Sequence, residues 1–236
     1  MSPATVALAL GLPMAVVAAV RSTWSPCGES MLASITPLGE RARSSQWTVT
    51  VTAYLIGSVL GGAVLGLLAA AAGSLLPASW RASPGGPGGA AVLLLAGLLL
   101  DRRVGGLRLP TWHRQVDERW LARYRGWVYG VGFGLQLGAG VVTVVTSATV
   151  YATVVLCALS GSLPVGLVLG ALFGLARALP VLGLARTHDR AALHRLFRRL
   201  ERWAPRAEQL AQASLAGAAA ALVAVAAVAA TRAGGS

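Results

Sequence analysis

Apolar stretches recur six times along this chain, over about 5–38, 47–76, 88–100, 127–159, 163–185 and 208–231. Crossing the hydrocarbon core of a bilayer takes about 20 mainly apolar residues in a helix, and this repetition leaves little room for a water-soluble fold. The third stretch is the shortest and begins within the Gly/Pro-rich run at 83–91. With 56% hydrophobic and 12% charged residues, the composition is that of a polytopic membrane protein. The expected fold is all-α, a single membrane domain over 1–236 with six transmembrane helices. A cleaved secretory signal is the competing reading of the first stretch. Such a signal has a basic start, yet no Lys or Arg precedes Arg21, so a retained span is expected.

All twenty basic residues are arginine, and sixteen fall in three loops. Arg41 and Arg43 follow the first span. Arg102, Arg103, Arg108, Arg114, Arg119, Arg123 and Arg125 separate the third and fourth. Arg186, Arg190, Arg195, Arg198, Arg199, Arg202 and Arg206 separate the fifth and sixth. The positive-inside rule puts these loops in the cytoplasm and both termini outside, in a cell (inner or plasma) membrane. The net charge of +12 therefore reads as topology and attraction to membrane lipid, with no nucleic-acid partner. Trp127 and Tyr129 fall where an interfacial aromatic belt is expected. Leu193, Leu196, Phe197, Leu200 and Trp203 share one helical face. The stretch 187–205 is thus expected to lie on the cytoplasmic leaflet as an amphipathic helix, or to be a solvated linker.

Two spans carry matching glycine pairs, Gly57 with Gly61 and Gly166 with Gly170; glycines four apart let helix backbones approach closely. Each belongs to the second span of a three-helix half, 1–104 and 126–231, and each first span is interrupted. The breaks are expected at Pro13, Pro26 and Pro37 in one half and from Gly130 to Gly140 in the other. Three spans per half would make the halves inverted repeats, and matched broken helices point to a site within the membrane.

Chemistry concentrates at the first break, STWSPCGES over 22–30. Pro26 suits the first position of a helix with Ser25 as its N-cap. Cys27 then falls in the first turn, where the helix dipole favours a thiolate or a bound anion. The alternative is a kinked helix whose small cysteine only packs. Glu29 is the nearest acid, and Arg177, alone deep in the fifth span, needs a partner because a central arginine costs ~2.5–3.5 kcal/mol on insertion scales. Glu29 is the expected partner, with Gln136, Thr143, Thr146 and Ser147 lining the same cavity or bonding to their own helices. His113, His188 and His194 make no metal-ligand spacing with cysteine, so no metal or other cofactor is expected.

Ser25-Pro26-Cys27, Pro37, Gly132-Phe133 and Pro180 resemble the membrane domain of the CcdA/DsbD family. That family passes electrons across the bacterial inner membrane by thiol–disulfide exchange. The resemblance implies a three-plus-three inverted repeat, Cys27 as nucleophilic thiolate, and a thioredoxin-like partner protein. The family's second cysteine is missing, since its place reads Leu137-Gly138-Ala139-Gly140; Cys157 is left as the conjectural second thiol. Two other readings stay open. One is a permease for a small anionic or sulfur-containing solute, bound by Ser25, Glu29, Arg177 and Gln136; the other is a structural membrane subunit.

Overall fold

The computed structural model describes residues 2–112, 119–187 and 189–234. Expectations for His113, Arg114 and His188 fall outside the described residues. Every element among them is helical, as a lipid-embedded chain requires, because each backbone N–H and C=O must be satisfied without water. Four helical stretches are long and apolar enough to cross a membrane: Pro3–Trp24, Trp47–Ser74, Leu163–Arg186 and Ala191–Arg232. Two shorter apolar helices, Gly85–Asp101 and Thr149–Ser160, accompany them. This is a membrane-associated, all-helical protein whose apolar outer faces suit contact with lipid.

The first stretch is broken where its chemistry concentrates. Helix α1 (Pro3–Arg21) runs through Pro13 without stopping. A tight turn over Ser22–Trp24 then leads to Ser25, whose extended backbone (φ −83°, ψ 152°) opens α2 (Pro26–Ser34). Ser25 Oγ accepts from the Gly28 amide at 3.1 Å and donates to the Ser22 carbonyl at 2.7 Å. Thr36 repeats the device for α3 (Pro37–Ala42), accepting from the Gly39 amide at 3.0 Å.

Helix α4 (Trp47–Ser74) is the axis of the molecule. After it come a short α5 (Ala78–Ala82), α6 (Gly85–Asp101), and a single turn, α7 (Trp120–Arg123). The stretch expected as a fourth span is two helices, α8 (Gly126–Gly138) and α9 (Thr149–Ser160). The chain between them, 139–148, is non-helical, with Gly140 at φ +62°. The break therefore begins only at the end of the glycine run, at Gly140, and extends beyond it. Gly130, Gly134 and Gly138 stay helical because each faces α4. A Cβ on them would lie 2.6, 2.4 and 2.1 Å from the carbonyl oxygens of Thr50, Tyr54 and Ser58.

These contacts advance together along both helices, so α8 runs parallel to α4. The next helix, α10 (Leu163–Ala178), runs antiparallel: Gly62 meets Gly170, Gly66 meets Gly166, and a Cβ at either α4 glycine would stand 2.1 or 2.0 Å from the facing carbonyl. The two glycine pairs matched in the sequence do not face each other. Gly57 and Gly61 turn to Val131 and Leu135 of α8, while Gly166 and Gly170 find Gly66 and Gly62.

The last helix, α11 (Arg190–Gly234), is continuous for 45 residues despite Pro205, about 68 Å at 1.5 Å per residue. The stretch expected as an amphipathic helix over 187–205 enters this continuous helix at Arg190. Leu193, Leu196, Phe197 and Leu200 pack against the protein's own core around Met31, Tyr129, Phe133 and Leu184, and the Trp24 indole donates to the Leu200 carbonyl at 3.0 Å. The apolar stripe has a protein partner. A second core joins α1, α6, α9 and α11 through Met14, Leu94, Leu98, Leu156, Leu215 and Leu222.

Candidate functional site

Two polar clusters are buried within the helices. The first lies where α2, α4, α8 and α10 converge. Arg177, on the last turn of α10, is only 5% exposed, and its Nε and Nη2 have no hydrogen-bond partner. Its guanidinium lies 5.8 Å from the centre of the Phe173 ring, and Cys27 and Tyr54 are within electrostatic range of it. Arg177 lines a small cavity with Ser22, Thr23, Gly28, Tyr54, Leu137 and Pro180. Gly28 belongs to the first turn of α2, so the capped helix end and the arginine share one space. A side chain at Gly28 would strike the Thr23 and Ser22 carbonyls, at 2.6 and 2.8 Å.

Glu29 is not Arg177's partner. On α2, Cys27, Gly28, Met31 and Leu32 face inward, whereas Pro26, Glu29 and Ala33 share the exposed face. Glu29 instead borders an outward cleft with Arg21, Glu201 and Glu208. Gln136 is partly buried on α8 and does not line the Arg177 cavity. Thr143 donates to the Gly140 carbonyl at 3.1 Å, the local bonding that was one of its two readings. Ser147 donates to Asp101 at 2.9 Å, and the same carboxylate accepts from the Ala148 amide at 2.8 Å, so Asp101 caps α9 from the end of α6. Cys27 and Cys157 are both buried free thiols. They belong to different core clusters, Cys157 packing with Ala69 and Leu169.

The second cluster escaped the sequence reading. Glu40 on α3 is wholly buried. Its carboxylate accepts from the Tyr129 hydroxyl at 2.5 and 2.6 Å, from Thr50 at 2.7 Å and from Arg43 Nη2 at 2.7 Å. Arg43 also donates to the Ser34 carbonyl at 2.6 Å. Three helices are thus tied at one carboxylate. Tyr129, expected in an interfacial belt, is fully buried in this knot, while Trp127 is 54% exposed. The only signal in the sequence was an acid amid Arg41 and Arg43, which were read as topology alone.

The fold and its buried clusters define an all-helical membrane-associated protein with an arginine and a carboxylate inside. No family model and no solved structure matches the chain. Curated proteins do. The methylamine utilization protein MauF of Paracoccus versutus is 36% identical over 184 residues, covering 77% of this chain and 66% of that protein. MauF of Methylophilus methylotrophus is 32% identical over 175 residues (71% and 59%). MauF of Methylorubrum extorquens is 32% identical over 185 residues (74% and 61%). This chain's homologues are MauF proteins, and the matched stretches span 59–66% of the length of these three.

That relationship overturns the CcdA/DsbD resemblance. With it fall thiol–disulfide exchange through Cys27, a role in cytochrome c biogenesis, and solute transport. The physical reason for the misreading is visible at the break. Ser25-Pro26 is a general way to restart a helix, and the residue after it, Cys27, packs in the core at 1% exposure.

Proposed function

We propose that this chain is a membrane-embedded protein of methylamine utilization. The observation that carries the reading is its similarity to MauF proteins of several methylamine-using bacteria, at 30–36% identity. The test is complementation: a Paracoccus versutus strain deprived of its own MauF is given this chain and grown on methylamine. Growth restored on methylamine, with growth on succinate the same throughout, is the expected result. A chain that reaches the membrane and still leaves the strain unable to use methylamine counts against the proposal.

The same proposal includes six membrane crossings in two inverted halves, a place in the inner membrane and both termini outside. The parallel run of α4 with α8 and the antiparallel run of α4 with α10 support it, since alternating spans two, four and five need those directions. Matching breaks in the first span of each half also support it. Reporter fusions at the two ends should both be active outside the cytoplasm; a cytoplasmic N-terminus refutes the arrangement. Within it, the break at Ser25 and Cys27 together with Arg177 of α10 beside it is the proposed functional centre.

A further inference from the structure

Arg177 presents a charge that nothing among the described residues neutralises. The ion pair described is Arg43–Glu40, at the other cluster. An arginine stays protonated in essentially any protein setting, and a buried cation without a partner is strongly disfavoured. The Phe173 ring offsets part of that cost through its negative face. Around the same cavity the other polar groups point the same way. The Thr23 hydroxyl is buried with no hydrogen-bond partner, and the first turn of α2, at Gly28, carries the positive end of a nine-residue helix. A guanidinium, the first turn of a capped helix and a spare hydroxyl border one space with no carboxylate in it, and its titratable neighbours, Tyr54 and Cys27, are neutral in their usual protonated forms.

We infer that this cavity holds a single monatomic anion of halide size as the fixed counter-ion of Arg177. Size selects the class. The cavity volume is about 10 Å³, about what a single small particle needs, so sulfate, phosphate or a carboxylic acid is too large for it. A water molecule would fit but leaves the charge uncompensated. The ion is resident rather than cargo, because Arg177 is only 5% exposed and α10 is held against α4 through Gly166 and Gly170. The inference concerns what fills the cavity, and its readout is binding, so it stands or falls apart from the methylamine role.

The test uses the full chain purified in detergent, with chloride titrated against gluconate at constant ionic strength. Melting should rise saturably with chloride, by roughly 5–10 °C at a hundredfold excess over the midpoint. Bromide should substitute, while sulfate should not. Arg177→Met removes the charge and should abolish the chloride dependence. Should that variant fail to fold, anomalous diffraction from wild-type crystals grown in bromide decides: a bromide peak beside the Arg177 guanidinium is expected. Melting indifferent to chloride, a chloride response that survives in Arg177→Met, or a water alone at that place overturns the inference.

Discussion

Gly66→Ala should cost about 3 kcal/mol, and Gly66→Leu should leave no monodisperse protein. The added Cβ would stand 2.0 Å from the Gly166 carbonyl oxygen, 2.9 Å from its carbon and 3.0 Å from the Gly170 Cα. All three are backbone atoms, so no side chain can swing aside, and α4 and α10 must separate along their length. Gly217→Ala is the control. Nothing lies within 4 Å of a Cβ there, and alanine in a helix interior is favoured over glycine by up to ~1 kcal/mol. Size-exclusion profiles and thermal melts of the three variants read the contrast. A Gly66→Ala protein that melts with the wild type would show that the two helices are not held this closely.

The second large effect is expected at Glu40. Glu40→Ala strips the acceptor from Tyr129, Thr50 and Arg43 at once, leaving a partly buried guanidinium and two hydroxyls without their carboxylate. Breaking a buried pair from one side costs about 3–5 kcal/mol. Glu40→Gln keeps the shape and one acceptor oxygen but turns an amide donor towards other donors, so it should fall between alanine and wild type. Arg43→Ala, and the double variant, complete a cycle that isolates the Arg43 contribution. Arg43 is 28% exposed and can rehydrate, so removing it alone should cost less than removing Glu40. If Glu40→Ala melts within a degree of wild type, the knot does not hold the three helices.

Hydropathy made the long helices legible, and residue chemistry made the first break legible: Ser25, Pro26 and the start of α2 fall where capping rules place them. What sequence could not show was which glycines break a helix and which bring helices together. Gly130, Gly134 and Gly138 look alike to a reader of the chain, and only their register against Thr50, Tyr54 and Ser58 reveals their use. Pro13 is a second such case, because a proline inside a long helix need not end it, and α1 runs through it. The Glu40 knot joins residues up to 89 positions apart, a separation across which no local pattern connects them. Glu29 is the acid nearest the first break in the sequence, which makes it the expected partner of Arg177. The helix phase of α2 then turned it outward, and that phase depends on which side of α2 the core lies.

The glycine faces of α4 have a consequence for how the chain is made. Gly57 awaits Val131 and Gly62 awaits Gly170, so the central helix is synthesised well before either neighbour that completes it. At 5–20 residues per second, the interval between Gly62 and Gly170 is about 5–20 s. Until α8 emerges both grooves of α4 are empty, and from then until α10 follows the groove at Gly62 and Gly66 stays open. Assembly of the core therefore belongs to the closing stage of translation, and a ribosome stalled after α6 would leave an inserted product with no interior.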